Sequence, residues 1–307
     1  MKRVLSGVQP SGQLHIGNYA GAIRQFVEMQ SSHEMFIFVA SYHALTSTRN
    51  ADLLRTNLRQ TAIDYIAFGL DPSQTHLYYQ HDVPEVTELA WLLSCCCPQP
   101  LMDKSTPVND KAANGLSASI WLYTYPILQS ADILAVDADL VPVGEEQVQH
   151  IEITRDIAQK FNHHFGEVFK LPIYQVCQEA GIVPEIDGQK MSKSYGNEID
   201  PVMAEGALRK LIMKIKTDST PIDEPKDPET CSVYQSFAAL AGRDDERSKD
   251  LARRYRKGGM GYGDAKQALL ELVLDHFAEA RSRRRQLGDN VHPPYHERLR
   301  CATPLTG

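Results

Sequence analysis

Two short stretches, far apart in the chain, carry residue types whose spacing suits phosphate chemistry. Near the start, Gln9-Pro10-Ser11-Gly12 is followed by His15-Ile16-Gly17-Asn18. A strand-to-helix turn here aims backbone N–H groups and the positive end of a helix dipole at an anion. Gly17 lets a nucleotide approach the backbone closely. His15 and Asn18 bring donors to oxygens on which charge develops during reaction. Taken alone, this short match is equally well a capped helix start. The second stretch is Lys190-Met191-Ser192-Lys193-Ser194, flanked by Gly188 and Gly196. Its ammonium and hydroxyl donors form a clamp able to follow the β- and γ-phosphates as pyrophosphate departs. A polar surface loop is the ordinary account of such a string, but not when it lies downstream of QPSGxxHIGN. The sequence has no G-x-x-x-x-G-K-[ST] loop, so the nucleotide site is of another kind. Gly258–Gly263 superficially suggests a dinucleotide loop, but it follows no strand and reads as a turn between helices.

A third constellation is set by helical spacing. Tyr125, Gln129 and Asp132 stand at i, i+4 and i+7 and share one helix face. Ile127, Leu128, Ile133 and Leu134 surround Asp132 with apolar side chains. A carboxylate buried there needs a donor, and an indole N–H is a donor that never accepts. An aspartate on a helix surface is the other reading. Gly144-Glu145-Glu146 opens the next helix, whose N-terminal amides suit the ribose and adenine side of a nucleotide. The acidic pair also simply favours the helix dipole.

These groups need a scaffold, and the pattern predicts an α/β fold. Strand-like runs at Arg3–Gly7, Phe36–Ala40, Leu77–Tyr79 and Leu140–Val143 alternate with helical periodicity over Tyr19–Gln30, Asp52–Phe68, Glu85–Cys97, Ser117–Leu134 and Glu145–Phe161. Such alternation predicts a parallel, Rossmann-like sheet with helices on both faces. Ligands then bind beyond the carboxyl ends of the strands, which raises the weight of the first turn. The polar stretch Pro98–Gly115, with three prolines, reads as a mobile loop or insertion near residues 98–116. Beyond the second phosphate motif only helices are expected: Ala204–Lys216, Cys231–Leu240, Lys249–Tyr255 and Asp264–Arg285. The boundary between a catalytic domain (1–200) and a smaller helical domain (201–307) is placed near residue 200.

Composition narrows the function classes. The 307 residues are 42% hydrophobic and 23% charged, ordinary values for a globular protein, and a large core is within reach. No apolar run approaches the roughly 20 residues of a membrane span, and the N-terminus has no apolar signal core, so a cytoplasmic protein is expected. The six cysteines include no C-x-x-C pair and no zinc spacing, so no structural metal is expected. The run Cys95-Cys96-Cys97 is expected to pack as small buried hydrophobes. The net charge of −7 argues against wholesale nucleic-acid binding, yet residues 249–300 hold 12 Lys and Arg against 7 Asp and Glu. That local excess fits a nucleic-acid footprint or merely solvated helix faces.

Together QPSGxxHIGN and KMSKS identify the chain as resembling class I aminoacyl-tRNA synthetases. SGVQPSGQLHIGNYAGAIRQFV, the YHAL segment, YTYPILQSADIL and VPVGEEQVQHIEITRDIAQKFN make it similar to the bacterial tryptophanyl members. The resemblance implies ATP with Mg²⁺ as co-substrate, L-tryptophan and tRNA(Trp) as substrates, and a homodimer. It implies phosphate contacts by His15, Asn18, Lys190 and Lys193, with Lys111 a weaker match. Gln9, Pro10, Ser11, Gly17, Gly144, Glu145, Glu146 and Ile182, with Met191, Ser192 and Ser194, would complete the ATP site. The amino-acid site would comprise Asp132, reading the indole nitrogen, with Gln129, Tyr125, His43, Gln147, Leu5, Val141 and Val143. Arg253–Lys257 and Arg281–Arg285 would meet the tRNA.

The chain departs from the family pattern where Gln129 replaces a common methionine, Leu5 a frequent phenylalanine and Glu146 an aspartate. Gln129 makes the pocket more polar and leaves a tyrosyl-type specificity open. A nucleotidyltransferase sharing the first turn, and a paralogue that binds without charging, are the further alternatives. Family members continue with helical turns where this chain reads NVHPPYHERLRCATPLTG, so a missing last helix, with weakened tRNA charging, is expected from about residue 290.

Overall fold

The computed structural model describes residues 1–10, 12, 14–103, 120–176 and 199–288, with residues 122 and 146 by backbone alone. Five parallel strands form one sheet in the order β3-β2-β1-β4-β5: β1 Arg3–Val8, β2 Glu34–Val39, β3 Thr75–Tyr79, β4 Leu140–Val143 and β5 Ile173–Val176. The register runs Arg3↔Glu34 to Val8↔Val39 between β1 and β2, and Met35↔Thr75 to Val39↔Tyr79 between β2 and β3. Strand order reverses between β1 and β4, where Val4 faces Leu140, and ligands of open parallel sheets lie outside such a switch.

Met35–Val39 of β2 and the residues of β4 are apolar throughout, as strands of a sheet covered on both faces are. Alternate residues sort to opposite sides. Val4, Met35, Ile37 and Val39 pack with Ile23, Phe26 and Tyr65 on one face, while Leu5, Phe36, Phe38, Val141 and Val143 pack with Ile133 and Ile151 on the other. The first of these cores continues into Leu208, Val233, Phe237, Leu251, Tyr255, Leu269 and Val273, so the helices after residue 200 share it. Those helices are Glu205–Met213, Ser232–Ala241, Glu246–Lys257, Tyr262–His276 and Ala278–Leu287. Burying a large side chain in such a core contributes about 1.5–3 kcal/mol.

These helices are tied to the first turn through Tyr19 and to helix Ala51–Ala67 through Arg284. Tyr19 lies against Phe68 at 5.7 Å and against Phe277 at 4.7 Å, edge to face. Arg284 donates to Asp64 at 2.8 Å, joining helix Ala278–Leu287 to helix Ala51–Ala67. Burial outweighs the Arg284 guanidinium and pushes the Asp64 carboxyl up to about 6.

Several elements differ from the sequence pattern. β5 is unexpected because all four of its residues are exposed and its pairing to β4 leaves no periodicity to read. The predicted single helix over Asp264–Arg285 breaks at Phe277, whose ring is buried against Tyr19 and Phe68. Within the stretch read as a loop, Gln99–Asp103 forms a short helix that buries Met102. The helix before it ends at Ser94, so the cysteine run forms the departing turn. Cys95 is therefore exposed and Cys96 and Cys97 are half-buried, not the buried cluster expected. The tail from residue 289 lies outside the described residues.

Candidate active site

The first turn builds a reciprocal cap. His15 ends the loop in extended conformation (φ −113, ψ 167) and caps the short helix Ile16–Asn18. The Asn18 backbone N–H donates to His15 Nδ1 at 3.3 Å, and the His15 N–H donates to Asn18 Oδ1 at 3.1 Å. With Nδ1 an acceptor, the ring proton sits on Nε2, so His15 presents a donor. The Ile16 N–H donates to the carbonyl of Ile199 at 3.0 Å, joining this turn to the segment that follows the KMSKS stretch. A π-helical turn, Tyr19–Ile23, comes next before helix Arg24–Met29. Such turns recur at functional sites because they re-aim side chains.

A cavity of about 450 Å³ opens beside the switch point. Of the residues predicted to bind ligand, Leu5, Gln9, Asn18, His43, Tyr125, Gln129, Asp132, Val141, Val143, Gly144 and Gln147 all line it. The elements explain why. β1 and β4 supply the walls, helix Ile120–Ala135 carries Tyr125, Gln129 and Asp132 on one face, and the turn Glu145–Gln147 starts helix Val148–Phe165. Gly7 also lines the cavity, and a Cβ there would meet the Phe38 carbonyl oxygen at 2.3 Å, so β1 and β2 require glycine. Pro10, His15 and Gly17 stand at the neighbouring turn without lining the cavity. Glu145 is exposed and Glu146 is described by backbone alone. Ser11, Lys111, Ile182, Lys190, Met191, Ser192, Lys193 and Ser194 lie outside the described residues.

The floor of the cavity is polar and buried. Asp132 is 2% exposed and Gln80 is wholly buried. Gln80 Nε2 donates to Asp132 Oδ2 at 2.8 Å and Oδ1 at 3.0 Å. Burial pushes the Asp132 carboxyl well above its usual range, and the Gln80 bond only partly offsets this. His43 Nδ1 lies 2.9 Å from Gln80 Nε2. The rings of His43 and Tyr125 meet edge to face at 5.2 Å. Gln129 Oε1 is buried and has no hydrogen-bond partner among the described residues. Gln80 was missed in the sequence: it lies 52 residues from Asp132, and no local pattern marks it.

Burial lowers the His43 pKa from 6.5 to about 4, against the hydrogen bond to Gln80. The ring is therefore neutral at pH 7, and its 3.7 Å approach to Asp132 is no ion pair. A depressed folded value means stability that is present above pH 6.5 and lost as pH falls toward 4. The wild-type protein is expected to lose up to about 3 kcal/mol more than His43→Asn across that window, measured by denaturant unfolding at each pH. Equal losses in both proteins would contradict the assignment.

The second basic cluster turns partly inward. Arg281 donates to the Pro201 carbonyl at 2.6 Å, Arg283 pairs with Glu279, and Arg284 holds Asp64. By contrast Arg253, Arg254, Arg256 and Lys257 are exposed on the last turns of helix Glu246–Lys257, and Tyr255 between them is core.

With this geometry in place, comparison with known proteins is direct. The family model for class I tRNA synthetases (W and Y) matches residues 1–278. The chain is 48% identical over 290 residues to tryptophan–tRNA ligase of Rhodopirellula baltica, covering 94% of this chain and 90% of that one. It is 47% identical to the enzyme of the same name from Fusobacterium nucleatum, over 95% of this chain and 89% of the other. A structure of tryptophanyl-tRNA synthetase from Campylobacter jejuni complexed with ADP and tryptophan superimposes with a TM-score of 0.84 at 48% identity, covering 93% and 89% of the two chains. The chain belongs to the class I tRNA synthetases of the tryptophan and tyrosine type.

Proposed function

We infer that the chain is a tryptophan–tRNA ligase, which activates L-tryptophan with ATP and passes it to tRNA(Trp). The observation that carries this reading is the buried Asp132 carboxyl group, which has no cationic partner among the described residues and lies at a cavity lined by the residues expected to bind tryptophan. The relatives at 47–48% identity are tryptophan enzymes, so the tyrosyl reading is set aside despite Gln129. ATP–pyrophosphate exchange with each amino acid supplied separately tests the reading. Exchange with tryptophan alone is the expected result, and exchange with tyrosine or with none overturns it.

The residue roles extend this proposal. The tryptophan carboxylate attacks the α-phosphorus and pyrophosphate leaves, giving tryptophanyl-adenylate. The tRNA terminal hydroxyl then attacks the acyl carbon, losing its proton, and AMP leaves as the ester forms. No protein nucleophile is needed, so the protein contributes position and charge stabilisation. His15, Asn18, Lys190 and Lys193, with Lys111, act on the phosphates, and Mg²⁺ arrives with ATP. Gln9, Pro10, Ser11, Gly17, Gly144, Glu145, Glu146, Ile182, Met191, Ser192 and Ser194 hold the nucleotide. Leu5, Val141 and Val143 wall the indole, while Tyr125, His43, Gln129 and Gln147 border it. A cytoplasmic location follows from this role, and among the described residues no helix is long and apolar enough to cross a membrane. Homodimer formation draws support from helix Glu85–Ser94, which leaves Trp91 72% and Leu92 48% exposed.

The exposed cluster Arg253–Lys257 meets the tRNA. Replacing Arg254 and Lys257 together by glutamate is expected to raise the KM for tRNA about tenfold or more while leaving tryptophan-dependent exchange unchanged, because phosphate contacts act uniformly and far from the first step. Aminoacylation kinetics against tRNA concentration would check it, and an unchanged KM would remove this face from the interface.

A further inference from the structure

Gln80 occupies an unusual position for a residue with no part in the reaction: wholly buried at the end of β3, in the turn Gln80–Asp82, with both side-chain polar atoms engaged. Its Oε1 accepts from the backbone N–H groups of Tyr42, at 2.9 Å, and His43, at 3.4 Å. Those two donors fix the amide, since a flip would set its NH₂ against them and its oxygen against the Asp132 carboxylate. Nε2 therefore faces Asp132 and His43 together. Its two hydrogens serve both carboxylate oxygens and His43 Nδ1, which forces the histidine proton onto Nε2.

The choice of an amide has a consequence for selectivity. An arginine or lysine in this place would neutralise Asp132 and weaken its claim on a ligand. A neutral amide orients the carboxyl group yet leaves oxygen lone pairs for a neutral ring N–H to satisfy. Building on the tryptophan reading above, we propose that Gln80 is the positioning residue of the amino-acid site, setting the plane of Asp132 and the tautomer of His43 so that the pocket selects a side chain ending in a ring N–H donor.

The test uses the full-length chain and two amino acids, L-tryptophan and L-3-benzothienylalanine, in which sulfur replaces the ring N–H. In wild type, exchange is expected to favour tryptophan strongly. Gln80→Met keeps length and apolar volume but removes all the hydrogen bonds. It is expected to raise the tryptophan KM about 10–100-fold, to change kcat less than about threefold, and to narrow the preference over the sulfur analogue about tenfold. A general packing defect would raise both KM values alike, and that result would overturn the proposal.

Gln80→Glu guards against a methionine variant that fails to fold. A glutamate donates to Asp132 only when protonated, and two carboxyl groups this close share a proton. The titratable neighbours are His43, His150, Tyr78 and Tyr125. Burial holds His43 neutral at pH 7 and raises both tyrosines above their usual value. The kcat/KM for tryptophan in Gln80→Glu is therefore expected to fall at least tenfold more steeply than wild type between pH 5.5 and 8. Parallel profiles would overturn the proposal. Wild-type protein without tryptophan-dependent exchange would instead overturn the functional reading on which it rests.

Discussion

Asp132→Asn is expected to lower tryptophan-dependent kcat/KM about a thousandfold while raising the melting temperature of the ligand-free protein. The functional loss follows from the inventory of lone pairs. Asp132 has two oxygens, and Gln80 donates to both from one side at 2.8 and 3.0 Å. Asparagine has a single oxygen, which the fixed Gln80 amide claims first, so an NH₂ group is left near the place of the indole N–H. Two donors then face each other in a buried site, and hydrogen-bonding sites of this kind reject a mismatched partner by about 10⁴–10⁵ at the extreme. About a thousandfold allows for partial rotation of the new amide.

The stability gain comes from the same burial. The Asp132 carboxyl is raised well above its unfolded value of 3.8, so the folded protein binds its proton more tightly than the unfolded chain does. The associated stability is present below pH 3.8 and is lost as pH rises through the folded value, which leaves wild type at a disadvantage near neutrality. Asparagine does not titrate. The variant is therefore expected to melt several degrees higher than wild type at pH 7.5, with the gap closing toward pH 4. Differential scanning calorimetry at the two pH values reads this directly. A variant both inactive and less stable would mean that Asp132 is a structural hydrogen-bonding group, not a strained recognition group.

Local patterns reach part of the cavity lining, and the resemblance supplied His43, Gln147, Leu5, Val141 and Val143. Tyr125, Gln129 and Asp132 are readable from helical spacing alone, since the helix rotates all three onto one face. β4 matched its predicted bounds, Leu140–Val143, because it is a short apolar run buried on both sides. What was not legible is long-range. Gln80 acquires its meaning from Tyr42, His43 and Asp132, which only the parallel pairing of β2 with β3 and the packing of helix Ile120–Ala135 bring together. Arg284 reads as a surface cation until helix Ala278–Leu287 lies against helix Ala51–Ala67 and presents it to Asp64. The cysteine run misled for the opposite reason: its apolar character was read correctly, but burial depends on where helix Glu85–Ser94 stops, and that is set by tertiary contacts.

At the first turn, Asn18→Asp and His15→Ala are each expected to lower kcat about 10²–10³-fold with a change of less than about threefold in the tryptophan KM, the range found when one donor to a developing charge is removed. The two side chains hold each other, His15 Nδ1 accepting from the Asn18 N–H and Asn18 Oδ1 accepting from the His15 N–H. Aspartate keeps that accepting oxygen, and a negative charge suits a helix N-terminus, so the cap and the fold survive. It replaces an amide donor by a carboxylate at the proposed phosphate site, which isolates the electrostatic effect from any loss of structure. His15→Ala removes both the cap, worth about 0.5–2 kcal/mol, and the Nε2 donor. Because the pair acts as one unit, the double variant is expected to fall little below the worse single one. Losses that multiply in the double variant would mean that His15 and Asn18 meet the phosphates independently, and that the reciprocal cap serves the helix alone.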